Sequence, residues 1–363
     1  MISELLNCTY FNGMQFLPNQ DIKIENEHIT TVKHSESGTP NPYLIIPGFI
    51  DLQIYGAGGK LFSAEPSVES LTHMENDLLK KGTTGFLACI ATNTPNVFDS
   101  CIAVAKEHRK MAKNCLGLHL EGPFLNPKRR GAHVEKFIRK ANLDEIKALL
   151  DFGDGVIKMM TIAPELQDDE VIQYLLDHDI ILSLGHSDAS FNQATAAYNK
   201  GIQTTTHLFN AMSPLHHRAP GVPAAVFNHA KARASIIADG HHVDFEMVKL
   251  SYKILRERLF LITDAVTACS IGPYQHQLLE DKFVMPDGTL SGSSLTMLQA
   301  VKNCITHCDI DLVDALKMSS LYPAIVIGEE GRIGKVEQGY QADLLVLDAE
   351  LNLKKVISKG VEY

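Results

Sequence analysis

The chain has 363 residues, 45% of them apolar, and carries 33 basic against 43 acidic side chains for a formal net charge of −10. Such a composition belongs to an ordinary globular protein able to bury a large core. It excludes a broad nucleic-acid surface, which needs a basic field to neutralise phosphates, and no apolar run approaches the roughly 18 residues of a membrane span.

The opening MISELLNCTYFNG has no basic leader followed by an apolar segment, so no secretion signal is expected and the cytoplasm is the expected location. Within residues 1–46, QDIKIENEHITTVKH nearly alternates polar and apolar residues, which predicts half-exposed strands. Eight short apolar runs follow, at 44–55, 83–91, 115–121, 156–163, 180–186, 203–211, 232–239 and 259–264. Charged segments of helix length separate most of them, among them 69–81, 98–113, 135–150 and 169–178. Alternating strand and helix signals predict a parallel sheet, and eight of them predict an α/β fold of the TIM-like (β/α)₈ barrel type. The tail from 333 reads as strands again, with no helix-length apolar stripe after Gly339. Both ends are therefore expected to pair into one small β domain, built from 1–46 and 333–363, beside a barrel at 47–332. The seven cysteines, at 8, 89, 101, 115, 269, 304 and 308, form no CxxC pair and read as reduced, buried thiols.

Polar residues able to bind metal cluster at or just past the run ends: Glu121 in GLHLEGPF, His186 in ILSLGHSD, His207 in QTTTHLFNAM, then Asp239 and Asp264. In a barrel these ends share one face, where active sites are built. A lone histidine is usually a hydrogen-bonded core or surface residue, but a carboxylate and two imidazoles on strand ends of one barrel point to a catalytic metal site with three protein ligands. Asp264, after the apolar LFLIT, is expected to exchange a proton with the attacking water and the leaving group, or more simply to cap a helix. In NAMSPLHHRAPG, the backbone N–H groups of Asn210 and Ala211 and the fork of Arg218 are candidate anion contacts. His133 in RRGAHVE and His242 in ADGHHVD join them as candidates, although single histidines and arginines are more often solvated. GTLSGSSLTM lacks the P-loop lysine pattern, which excludes nucleotide binding there.

Taken together, IIPGFIDLQIYGAGG, GLHLEGPFLNPKRRGAH, GHSDAS, TTHLFNAMSPLHHRAPG, DGHHV, TDA, GTLSGSSLTM and GKVEQGYQADLLVLD resemble the N-acetylglucosamine-6-phosphate deacetylase family of the amidohydrolase superfamily, over nearly the whole chain. HLEGPF and HLFNAM are specific to that branch, whereas PGFID and the tail occur across the superfamily. The resemblance implies a barrel with a small β-sandwich from both termini, Glu121, His186 and His207 as metal ligands, and Asp264 as catalytic acid/base. It assigns substrate contacts to Ala132, His133, Asn210, Ala211, Arg218, Asp239, Gly240, His241, His242, Leu290, Ser291 and Gly292, with His133 also serving the developing oxyanion. Arg218 or His242 is expected to reach a neighbouring subunit's site, in a homodimer or higher oligomer.

One departure stands out. Where many amidohydrolases carry His-x-His for a second metal, this chain reads Gln53-Ile54-Tyr55, whose side chains are poor transition-metal ligands. A single divalent ion per subunit is therefore expected, Zn²⁺ ahead of Fe²⁺. The implied activity is deacetylation of N-acetyl-D-glucosamine 6-phosphate, with an amino-sugar phosphate as the small-molecule partner and neither nucleic acid nor membrane. The alternatives are the galactosamine isomer, another amidohydrolase reaction without a phosphate cradle, and a metal-free scaffold.

Overall fold

A computed structural model describes residues 2–36, 38–39 and 41–363; residue 1, the expected start of the first segment, lies outside them. The N-terminal strands are β1 (Ile2–Phe11), β2 (Phe16–Glu25), β3 (His28–His34) and β4 (Leu44–Pro47). The barrel opens with β5 (Phe49–Ile54), followed by a short hairpin of β6 (Gly56–Ala57) and β7 (Lys60–Leu61). It continues through β8 (Thr83–Ala91), β9 (Cys115–Glu121), β10 (Ile157–Ile162), β11 (Ile181–Leu184), β12 (Thr204–Thr205), β13 (Arg233–Ile236) and β14 (Leu259–Leu261). A flap of β15 (Gln277–Leu279), β16 (Lys282–Val284) and β17 (Leu290–Ser293) precedes the C-terminal strands β18 (Leu344–Leu347), β19 (Leu353–Ser358) and β20 (Val361–Glu362).

The eight barrel strands run in the order β14-β13-β12-β11-β10-β9-β8-β5, every neighbouring pair parallel. The remaining seam, between β5 and β14, closes just past the strand ends. There Asp264 N–H donates to Gln53 O at 3.0 Å and Tyr55 N–H to Ala265 O at 2.9 Å. Below it, the Asp51 carboxylate accepts Thr263 N–H at 3.2 Å and the Thr263 hydroxyl. Helices cover the outside, and the expected segments appear as Val68–Lys80, Pro95–His108, Leu143–Gly153 and Asp169–Asp177. The third starts later than expected because the Asn142 side chain accepts Asp144 N–H at 2.9 Å, which caps the helix at Leu143.

Both chain ends meet in one seven-stranded sheet, ordered β20-β19-β18-β4-β1-β2-β3. β4 pairs parallel with β1 and antiparallel with β18, so the C-terminal strands are added to the N-terminal ones through it. This sheet has an apolar core of its own, including Cys8, Ile22, Ile24, Ile29, Ile45, Leu344 and Ile357. The apolar run at 44–55 is thus two strands in two sheets rather than one. Gly48 makes the break possible, since a Cβ there would lie 1.9 Å from Thr84 Oγ1.

The run at 203–211 shortens to two residues in β12, because His207, Phe209 and Ala211 all adopt positive φ. Inside the barrel, His119 is held by Leu52 O at 3.0 Å and Thr161 Oγ1 at 2.7 Å, and Thr161 continues to Thr206 at 2.7 Å. Burial pushes the His119 ring down to about 4, so this neutral imidazole is a satisfied core group beneath the active face, although it sits two residues before Glu121.

Candidate active site

Glu121, His186, His207 and Asp264 all lie at the C-terminal ends of barrel strands and converge at one mouth. His186, His207 and Asp264 have φ of 48°, 34° and 56°, in the left-handed region. Non-glycine residues pay about 1–3 kcal/mol each for that conformation, and it persists where the surrounding structure over-determines it. Here it turns each side chain from the strand direction into the mouth. Glu121, His133, His186 and His207 are each at most 4% exposed, and Asp264 is 8% exposed.

His207 Nε2 lies 3.1 Å from His186 Nε2 and 3.1 Å from Glu121 Oε1, and His186 Nε2 is 3.3 Å from the same oxygen. Three ligand atoms around one ion at bonds of about 2.0–2.1 Å stand about 3.3 Å apart in a tetrahedron, so the triangle is the right size for a transition metal. The His186 Nδ1–H is committed to Arg129 O at 2.9 Å, which leaves Nε2 as a lone pair directed into the triangle. Without a cation, two imidazole nitrogens would have to share a proton with one carboxylate oxygen; a divalent ion satisfies all three.

His133 also belongs to the cluster, its ligand atom lying with those of Glu121 and His186 inside 4.8 Å. It is the poorer ligand. Thr92 presents its N–H at 3.3 Å and its hydroxyl at 2.8 Å to His133 Nδ1; with Nδ1 accepting from the N–H, the proton sits on Nε2, which donates to Glu121 Oε2 at 2.9 Å. His207 Nδ1, by contrast, is buried without a partner among the described residues.

Gln53 Nε2 reaches Glu121 Oε1 at 2.9 Å, Asp264 Oδ1 at 2.8 Å and Tyr55 Oη at 2.9 Å, and the Tyr55 hydroxyl donates to Glu121 Oε2. Burial opposes ionisation of Glu121, but His186 and His133 hold its carboxyl well below the usual value. Burial pushes Asp264 well above its usual value; His207 pulls it down, while Glu121, Asp239 and Asp51 push it further up. The two carboxyls are therefore driven apart, as an ionised ligand beside a proton-exchanging group requires.

The pocket over this cluster is walled by Ala132, His133, Asn210, Ala211, His242, Leu290, Ser291 and Gly292, all expected from sequence. Gly292 has no room for a side chain, since at φ +116° a Cβ would meet Val266 Cγ1 at 2.6 Å. Asp239, Gly240, His241 and Arg218 are not walls. Asp239 instead orients His242, accepting from its Nδ1 at 2.6 Å and its N–H at 2.8 Å. His241 pairs with Asp281 of the flap at 2.9 Å. Arg218 stands exposed on its loop. The expectation that Asn210 offers a backbone donor fails, because its N–H is spent on His207 O at 2.9 Å.

Sequence reasoning missed Tyr274 and His276, which also line the pocket. Both come from the irregular segment before β15, where no periodicity marks a residue as inward. Burial pushes the His276 ring down to about 4, and its Nδ1 is 3.0 Å from Ser291 Oγ.

The sequence profile of the Amidohydrolase family matches residues 44–362. The chain belongs to that family. It is 35% identical to the N-acetylglucosamine-6-phosphate deacetylase of Haemophilus influenzae over 98% of both chains. It is 33% identical to that of Homo sapiens over 87% of this chain and 82% of the human one. The crystal structure of the Pasteurella multocida N-acetylglucosamine-6-phosphate deacetylase superimposes with a TM-score of 0.93, at 30% identity over the full length of both chains. A mutant of the Mycobacterium smegmatis enzyme in complex with N-acetyl-D-glucosamine-6-phosphate superimposes with a TM-score of 0.90, at 28% identity over 100% of this chain and 98% of that one.

Proposed function

We propose that this amidohydrolase hydrolyses the acetamide of N-acetyl-D-glucosamine 6-phosphate to D-glucosamine 6-phosphate and acetate, in amino-sugar catabolism. The observation that carries the reading is the buried Glu121–His186–His207 triangle with Asp264 beside it, in a chain that matches N-acetylglucosamine-6-phosphate deacetylases end to end. Glu121, His186 and His207 would hold one divalent ion, Zn²⁺ or Fe²⁺. When bound, it supplies Lewis acidity, activating water at neutral pH and polarising the amide carbonyl.

Asp264 takes the proton of the attacking water and returns it to the nitrogen of the leaving amine, so no net proton is left on the protein. His133 Nε2–H is placed to stabilise the developing oxyanion. His242, aimed by Asp239, and Ala211 N–H, which has no protein acceptor among the described residues, serve the phosphate end together with Arg218. Because Arg218 is exposed and outside the walls of its own pocket, we assign it to the pocket of a second copy in a homodimer. None of the seven cysteines is in a disulfide, which supports a cytoplasmic location. No helix among the described residues is long and apolar enough to cross a membrane.

Acetate release from N-acetylated hexosamines with and without the 6-phosphate, with metal content measured in parallel, tests the reading. The 6-phosphate of N-acetylglucosamine should be the preferred substrate, with one ion per chain. Arg218→Ala should lower kcat/KM for the phosphorylated sugar far more than for the free one, since misfolding or metal loss would depress both alike. Equal turnover of the two sugars by the wild type refutes the sugar-phosphate assignment.

A further inference from the structure

The two carboxylate oxygens of Glu121 have different neighbours. His186 and His207 make their nearest approaches to Oε1, at 3.3 and 3.1 Å. Oε2 receives His133 Nε2 at 2.9 Å and the Tyr55 hydroxyl. Gln53 Nε2 braces the arrangement, 2.9 Å from both Oε1 and Tyr55 Oη. With two donors on Oε2 against one on Oε1, rotating the carboxylate to present both oxygens to a cation breaks the Oε2 hydrogen bonds.

Tyr55 is itself held firmly. Its backbone N–H donates to Ala265 O at 2.9 Å across the barrel seam. Its ring packs in a satellite cluster at the barrel mouth with Leu61, Cys89, Ala91, Val266, Tyr274 and Phe283. The hydroxyl is therefore delivered by a fixed ring rather than by a flexible side chain, and as a neutral donor it does not compete electrostatically with a cation.

We propose that Tyr55 is a positioning residue of the metal centre: its phenol ties down Glu121 Oε2 so that Oε1 alone is presented to an ion between His186 and His207. This rests on the reading of those three residues as ligands. It gives the Tyr at the end of Gln53-Ile54-Tyr55 a role that its unsuitability as a second-metal ligand does not explain. Partners hydrogen-bonded to metal ligands typically change metal affinity 10- to 100-fold when removed.

The test compares the purified metal-loaded wild type with Tyr55→Phe, which keeps the ring and removes only the hydroxyl. The rate at which the ion passes to excess chromogenic chelator should rise by about 10- to 100-fold in the variant, while the metal-free variant, which loses buried hydrogen bonds, should unfold at a lower midpoint but remain folded at the assay temperature. Unchanged or slower release overturns the proposal. So does faster release from a variant whose metal-free form is already unfolded at the assay temperature, which would assign the effect to global instability. His207→Ala, run alongside, should lose the ion; if it retains it, the ligand reading falls and this proposal with it. No substrate enters these measurements. Faster release from Tyr55→Phe in a protein that frees no acetate from the sugar phosphate would leave this proposal standing and sink the functional assignment alone.

Discussion

Asp51 sits at the barrel seam, 1% exposed, with its carboxylate accepting the Gln53 and Thr263 N–H groups at 3.2 Å each and the Thr263 hydroxyl. Burial raises its carboxyl from 3.8 to about 6, and the Thr263 hydroxyl and the two N–H donors only partly offset that. The folded value lies above the unfolded one. The stability associated with this group is therefore fully present below about pH 4 and is lost as pH rises through 6, after which the penalty is constant. A shift of about 2 units at 1.36 kcal/mol each makes the penalty about 3 kcal/mol above pH 7 and about half that at pH 5. Asp51→Asn cannot ionise. It loses one acceptor for Thr263, a pH-independent cost, but escapes the titration. Urea unfolding of metal-free wild type and variant at pH 5 and 7.5 should show their stability difference moving in favour of the variant by about 1.5 kcal/mol at the higher pH. Parallel pH profiles would refute the reasoning and show that burial does not raise the folded-state value of Asp51 above the unfolded one.

Asp264→Asn retains side-chain shape but accepts no proton, so turnover should drop by roughly 10²- to 10⁴-fold with the metal still bound; near-normal acetate release would require another base. Glu75 joins the helix Val68–Lys80 to the start of β9, its Oε1 accepting the N–H groups of Lys113, Asn114 and Cys115 at 2.8, 3.0 and 2.9 Å. Burial would raise its carboxyl, but His108 and the Cys115 and Asn114 donors outweigh it and hold it below the usual value. The stability it provides is therefore present above the unfolded carboxyl value and lost as pH falls through the lower folded one. Glu75→Ala, which strands one buried and two part-buried donors, should cost about 3 kcal/mol in urea unfolding at pH 7, and a loss below about 1 kcal/mol would show that water replaces the carboxylate there.

The one-dimensional pattern was enough for the barrel, because parallel strands buried on both faces must be written as apolar runs and their covering helices as charged segments. It was also enough for Glu121, His186, His207 and Asp264, since a polar residue ending an apolar strand has only the mouth of the barrel to face. Local backbone geometry, which leaves no such trace, decided the rest. The run at 44–55 divides between two sheets because Gly48 passes too close to Thr84 for any side chain, a contact between residues distant in sequence. The reading proposed above, with His207 rather than His133 as a ligand, turns on a Thr92 N–H that points at His133 Nδ1. Arg218, adjacent in sequence to the cluster at Asn210, lies outside the pocket because the chain between them turns outward. Gln53 and Tyr55 could be read only as what they lack, a second pair of ligands. Folding brings Tyr55 against Glu121, 66 residues away, because β5 and β9 flank β8 at one mouth, and Gln53 against Asp264, 211 residues away, because closing the barrel sets its first and last strands side by side.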